Sequence, residues 1–171
     1  MVAIDSPPFV GDFGQPSIRP YSSEDHAWAV GLLDATGGRY RVRRGRVVDT
    51  AVLAGLVGTR NGTPNTLVTI SRHQKDFELT AIASDPYDAD LVEMVIRTAL
   101  KYRRPECLRA YAICSNAHFD VQRSLQRCGF RMCATRPGSV DSLARRSPHP
   151  IATNFDGLGV RDEVEFDLFV S

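Results

Sequence analysis

The dipeptide Asn61-Gly62 stands between two apolar runs, LAGLVGTR and TLVTISR, and it commits the middle of this chain to antiparallel sheet. An Asn-Gly pair accepts the positive φ values of a two-residue hairpin turn at little cost, so the strands on either side pair with each other. A second turn, HQKD, leads into FELTAIAS, where Phe77, Leu79 and Ala81 alternate along one face. Residues 53–84 therefore read as a three-strand meander.

The pattern then changes period. In DADLVEMVIRTALKY the residues Leu91, Val92, Val95, Ile96, Ala99 and Leu100 share one side of a helix, which Pro105 closes. CLRAYAIC reads as a buried strand, FDVQRSLQRC as a short helix, and GFRMCAT as a strand entered through Gly129. A Pro/Gly-rich connection covers residues 137–159, and the chain ends on VRDEVEFDLFV with Val164, Phe166, Leu168 and Val170 alternating. Upstream, SIRPY is a short strand. Ser22 or Ser23 caps a helix whose first turn holds Glu24 and Asp25, where the dipole favours anions. That helix carries Trp28, Leu32 and Leu33 and stops at Gly37-Gly38. Strands followed by strand-linked helices predict a mixed α/β sheet. Residues 1–16 read as an arm outside the core, and residues 17–171 as a single domain.

Composition excludes several classes. A chain of 171 residues with net charge +1 has no global field to recruit nucleic acid or an anionic membrane. Basic residues cluster locally in RYRVRRGR, KYRR and Arg145-Arg146; these clusters read as solvated faces, with a specific anion site as the alternative. Cys107, Cys114, Cys128 and Cys133 form no C-x-x-C pair and no histidines have ligand spacing, so no metal is expected and the cysteines read as buried, reduced hydrophobes. No run approaches membrane-spanning length and no leader is visible, so a cytoplasmic protein is expected.

Two segments carry a resemblance. SNAHFDVQRSLQRCGF resembles the N-x-x-A-x-x-x-Y-x-x-x-G-F segment of the GCN5-related N-acetyltransferase (GNAT) superfamily. The tail GSVDSLARRSPHPIATNFDGLGVRDEVEFDL is similar to a bacterial branch of it ending in R-D-E-I-E. The resemblance implies a GNAT fold, a splayed and mostly antiparallel mixed sheet flanked by helices. Its fourth and fifth strands separate and hold acyl-CoA, with the pantetheine arm pairing like an added strand. The fourth strand here is residues 77–83, so Leu79, Ala81, Ile82, Ala83 and Ser84 are the expected cofactor-binding residues, with Asn116 beside them or holding a substrate amide. Glu78 matches a branch glutamate that deprotonates an amine, and an outward-facing strand residue is the alternative.

The chain departs from that pattern twice. The family's pyrophosphate loop, Q/R-x-x-G-x-G/A, lets backbone N–H groups close on phosphate. Here PYDADLV places Asp88, Asp90 and Val92 at the small positions, so the aspartates read as helix caps on a lost phosphate site. Repulsion between unit charges about 5 Å apart runs from roughly 0.8 kcal/mol in water to about 3 at an effective dielectric of 20. The phenol that protonates the leaving thiolate in this family falls on Leu125, which carries no proton. His118, at the family's asparagine, is a replacement acid/base or a backbone-bonded residue at the helix entrance. Arg161, Asp162 and Glu163 read as structural pairing in the sheet.

Two functions follow. One is an N-acyltransferase moving an acyl group from acyl-CoA, carrier-protein phosphopantetheine or an aminoacyl-tRNA to a small-molecule amine or a peptide, with Glu78 and His118 as catalytic residues. The other is a non-catalytic binding or partner subunit of the same fold. A second copy of the chain is a further candidate partner. An open groove between the fourth and fifth strands favours the enzyme, a plugged one the module.

Overall fold

The computed structural model describes residues 14–169. Of the expected arm, residues 1–13 lie outside that range, as does Val170 of the last strand. Pro16 already opens the first strand, β1 (Pro16–Pro20).

Ser22 then starts a capping box around a 3-10 turn, with its N–H donating to Asp25 Oδ2 at 3.0 Å. The chain continues into α1 (His26–Ala35), which ends at Gly37 with φ +64°. A hairpin not legible in the sequence follows, β2 (Tyr40–Arg43) and β3 (Arg46–Asp49), turning through Arg44 and Gly45 at positive φ. The expected meander is β4 (Gly55–Arg60), β5 (Thr63–Arg72) and β6 (Asp76–Ser84), with Asn61 and Gly62 at φ 50° and 78° as their turn requires. Then come α2 (Ala89–Ala99), β7 (Arg109–Ser115), α3 (Phe119–Arg127) and β8 (Arg131–Arg136). The Pro/Gly-rich connection holds α4 (Ser139–Ala144) and a small hairpin, β9 (Asn154–Phe155) with β10 (Leu158–Gly159), before β11 (Glu163–Phe169).

The main sheet has seven strands in the order β1-β4-β5-β6-β7-β11-β8. Every pairing is antiparallel except β6 with β7. Helices α2 and α3 cover one face, where Leu91, Val92, Val95 and Ile96 pack on Leu56, Val68, Phe77 and Leu79. Each such buried side chain is worth on the order of 1.5–3 kcal/mol. Gly58 lets α2 sit this close: a Cβ there would lie 2.7 Å from Val95 Cγ2. Helix α1 covers the opposite face through Ala29, Leu32 and Leu33.

A bulge corrects one sequence expectation. The β5–β6 register shifts between Thr69 and Ile70, so Leu79 faces α2 while Ala81 and Ala83 face α1. Simple alternation of Phe77, Leu79 and Ala81 fails there because the extra residue, Thr80, flips the pleat. No described helix is long and apolar enough to cross a membrane.

Candidate active site

Strands β6 and β7 pair for only a short distance. Their register runs from Asp76 opposite Arg109 to Leu79 opposite Ala112 and stops. Beyond it β6 stays with β5 as far as Ser84 opposite Thr66, while β7 stays with β11 as far as Ser115 opposite Glu163. Two strands held by different neighbours must part, and the gap is the expected splay. Three spaces adjoin it. A cleft of about 260 Å³ is lined by Ser84, Tyr87, Ala117, His118, Phe119 and Leu158. A cleft of about 440 Å³ is lined by Arg43, Arg44, His73, Glu78 and Tyr111. Between them a cavity of about 30 Å³ shares His118 with the first and Arg43 with the second.

The hairpin β2–β3 brings charge into this gap. Arg41 and Arg43 are only 6% and 8% exposed, whereas Arg44 and Arg46 of the same basic cluster are exposed and Arg39 is half-buried, so the solvated-face expectation holds for one side of the hairpin and fails for the other. Arg43 Nε donates to Glu78 Oε1 at 3.1 Å, and its terminal nitrogens donate to Val42 O and Thr80 O. The other two basic clusters are largely exposed, at Lys101, Arg104, Arg145 and Arg146. Burial pulls the Arg43 guanidinium below its usual range, and Glu78 and Glu163 oppose that shift. Burial and the neighbouring Arg43 together bring Arg41 down to about 9, still charged at neutral pH.

Glu78 does not face outward into solvent. It is 5% exposed beneath the hairpin, and its Oε2 accepts from Tyr111 Oη at 3.0 Å and lies 3.3 Å from His73 Nε2. The carboxylate is thus held by three side chains at the wall of the larger cleft. His118 lies elsewhere, lining the other two spaces. Its Nε2 is 3.1 Å from Thr36 O, its Nδ1 bonds Ser115 Oγ, and its ring stacks on Phe155 at 4.3 Å. A carbonyl only accepts, so Nε2 carries the proton and Nδ1 accepts from the serine hydroxyl. Burial, with Arg41 close by, lowers this imidazole to about 3. Both ring nitrogens are occupied, one of them by a backbone carbonyl, as the backbone-bonded alternative has it, and His118 and Glu78 line different spaces. His118 ties α1, α3 and the tail hairpin together.

The expected cofactor residues divide. Leu79 stands opposite Ala112 as the last residue of β6 paired with β7. Ala81, Ile82, Ala83 and Ser84 lie beyond the last β7 pair, with Ser84 lining the 260 Å³ cleft. Asn116 is committed to the tail. Its Nδ2 donates to Gly159 O at 2.9 Å, and its Oδ1 accepts from the N–H groups of Arg161 and Asp162 at 3.0 Å each. Its Oδ1 is thus filled by two backbone donors, and Nδ2 keeps one N–H beyond the bond to Gly159.

The loop before α2 is a cap, as its sequence suggested. Asp88 Oδ1 accepts from Leu91 N–H at 3.0 Å, and Arg60 grips the same carboxylate with Nε at 2.7 Å and NH2 at 3.0 Å. Arg60 therefore holds the Asp88 carboxyl below its usual range. The repulsion expected toward pyrophosphate is reduced at Asp88 and rests on Asp90. Tyr87 adds an obstruction. Its hydroxyl reaches across to α3, donating to Asp120 O at 2.9 Å with Ser124 Oγ at 3.0 Å, and burial pushes the phenol up to about 12. The ring separates the 260 Å³ cleft from a space of about 420 Å³ beside Arg60 and Asp88. Leu125 is fully buried in the core against α2 and takes no part in any of these spaces.

Cysteine behaviour also differs in part from expectation. Cys114 and Cys128 are buried, Cys107 is half-buried, and Cys133 is exposed on the edge strand β8. Cys133, Glu165 and Asp167 bring ligand atoms within 4.8 Å of one another. Arg44, Arg109 and Arg136 already bind Glu165, and Arg109 also binds Asp167. Burial raises the Glu165 carboxyl, but those guanidiniums outweigh it and bring it to about 2. This is a sheet-locking ion network, with guanidiniums standing where a metal would need open lone pairs.

No protein-family model matches the chain, and no curated protein matches it in sequence. Solved structures match it in fold. The IAA acetyltransferase of Bacillus cereus superposes with a TM-score of 0.66 at 15% identity, over 91% of this chain and 100% of that one. A GNAT-family acetyltransferase of Streptococcus pneumoniae gives 0.62 at 14%, over 91% and 100%. A GNAT-family acetyltransferase of Elizabethkingia anophelis with acetyl-CoA bound gives 0.59 at 12%, over 91% and 98%. The fold is that of the GNAT acetyltransferases.

Proposed function

We propose that the protein is an N-acyltransferase that moves an acyl group from a pantetheine-type thioester, carried by CoA or by a carrier protein, to an amine. The observation that carries this reading is the early end of β6–β7 pairing, which leaves residues 81–84 without a β7 partner, with Ser84 at the wall of a cleft of about 260 Å³. An extended pantetheine arm fits such an edge as an added strand. The solved relative with acetyl-CoA bound supports a thioester donor on this fold.

In the proposed reaction the amine nitrogen attacks the thioester carbonyl carbon, the C–N bond forms and the C–S bond breaks. The amine proton passes to Glu78, directly or through water in the larger cleft, and the thiolate takes its proton from solvent because Leu125 offers none. His118 acts by positioning α3 against α1. The Asp88–Arg60 pair and Asp90, in place of a glycine loop, support a donor held chiefly by its arm, so carrier-protein pantetheine is favoured over free acetyl-CoA.

The test is calorimetry with acetyl-CoA, longer acyl-CoAs and acyl-carrier protein, followed by thiol release against a panel of amines. At least one thioester is expected to bind and turn over, with free acetyl-CoA weaker than about 10 μM, near −7 kcal/mol. Absence of binding and thiol release with every donor refutes the transferase. Tighter binding of acetyl-CoA refutes the donor preference.

A further inference from the structure

Among the described residues Arg41 is a buried cation without a counter-ion. Its Nε donates to Gly38 O at 3.2 Å, while its Nη2 nitrogen is buried with no hydrogen-bond partner among them. The charged group it feels most is another cation, Arg43, whose own guanidinium is taken up by Glu78, Val42 O and Thr80 O. Burying a charge in this way is strongly unfavourable unless something pairs with it. Across the same small cavity lies a second orphan. Glu163 is 2% exposed; it accepts from Arg44 N–H through Oε1 at 3.2 Å, and its Oε2 is buried with no partner among the described residues. Both residues, with Ser115 and His118, line the cavity of about 30 Å³ at the inner end of the β6–β7 gap. By the measure in which one water needs about 10–15 Å³, it admits a head group of two or three heavy atoms.

We propose that this cavity receives the carboxylate of a small substrate, paired with the Arg41 guanidinium, while Glu163 Oε2 takes a hydrogen-bond donor from the same ligand or from a water beside it. A planar guanidinium binds a carboxylate through parallel N–H bonds, and a dry site strengthens them. Val42, Val140, Ile151 and Val160 give the cavity an apolar side, while Tyr40, Arg43 and Cys114 complete the wall, and the apolar side suits a small organic acid better than a bare halide. The role of the ligand rests on the acyl-transfer reading, since either the acyl group or the acceptor amine carries the carboxylate. Binding itself can be measured without that reading.

The experiment titrates wild-type protein and Arg41→Met with acetate, glycine and succinate against chloride at matched ionic strength, read by thermal melting and calorimetry. Wild type is expected to melt several degrees higher with a small carboxylate than with chloride, by about the shift that selective binding to the folded state produces. Arg41→Met is expected to lose at least about tenfold in affinity and to melt no lower than wild type without ligand, because the unpaired charge is gone. The proposal is overturned if no carboxylate raises the wild-type melting temperature above chloride, or if the variant responds equally. Should Arg41→Met fail to fold, the wild-type titration decides alone, with Arg41→Lys as the second variant. A preference for succinyl-CoA over acetyl-CoA places the carboxylate on the acyl group; competition of acetate by glycine, together with acylation of amino acids, places it on the acceptor. Carboxylate binding without any acyl transfer keeps this site and removes the transferase, whereas transfer without a carboxylate response does the reverse.

Discussion

Acidification tests the interior placement of His118 directly. The unfolded imidazole titrates near 6.5 and the folded one near 3, because burial and Arg41 disfavour its charged form. A depressed folded value means that its contribution is fully present above about pH 6.5 and is lost as pH falls toward 3, where the unfolded chain takes up a proton the folded one refuses. At pH 5 the difference is about 1.5 pH units, or roughly 2 kcal/mol of lost stability at 1.36 kcal/mol per unit. That is a large fraction of the few kcal/mol by which a domain this size is stable. The carboxyls held low by arginines, Asp25, Asp88 and Glu165, begin to weigh only below their unfolded values of 3.8 and 4.5, and the other histidines, His26, His73 and His149, are common to wild type and variant, so their difference from pH 6.5 to 5 reads His118. Urea denaturation of wild type and His118→Gln across that window is the assay. Wild type should lose roughly 1.6 kcal/mol more than the variant between its ends, since a small part of the loss has already occurred at pH 6.5. Equal slopes would show that the imidazole is accessible and titrates normally, and the acid/base reading would return.

Other outcomes follow from named contacts. Glu78→Gln should lower acyl transfer by about 10²–10⁴. It should also cost roughly 3–5 kcal/mol of stability by leaving Arg43 buried without its carboxylate, so rates need checking at a temperature where the melt shows full folding. Leu125→Tyr should destabilise by about 1–3 kcal/mol through overpacking and restore no activity; faster thiol release would contradict the closed core seen there. Tyr87→Ala should join the two spaces its ring separates and tighten donor binding, read by calorimetry, despite losing roughly 1 kcal/mol of hydrogen bonding in a denaturant melt. Asp90→Asn should strengthen acetyl-CoA binding several-fold, more so at low salt, and an unchanged dissociation constant would remove electrostatics as the reason for weak binding.

The order of strands and helices was legible because periodicity and turn chemistry are local: Asn61-Gly62, the apolar side of α2 and the Gly129 turn each announce themselves within a few residues. The β2–β3 hairpin was not, since RYRVRRGR spells a polar surface unless its distant partners are known. Glu78 is 35 residues from Arg43, and Glu163 and Glu165 are 119 and 121 from Arg44. The Thr80 bulge was hidden for a related reason, because a register shift is a property of two strands together. Of the residues around the gap, Glu78 was singled out in the sequence, whereas Arg41 and Arg43 read there only as members of a basic cluster and Glu163 only as pairing within the sheet. The faint signal available was alternation itself: Tyr40, Val42 and Arg41, Arg43 form a period-2 pattern that a free surface does not need.

Those same separations bear on the order in which the protein can be completed during synthesis. The arginines of the hairpin leave the ribosome well before β6, and long before the residues from 163 onward that finish the sheet. Before β6 arrives nothing offsets the cost of drying Arg43; Glu78 then supplies its carboxylate, whereas Glu163 reaches the cavity beside Arg41 only with the final strand. The lining of that cavity is therefore the part of the gap whose residues are all present only at the end of synthesis.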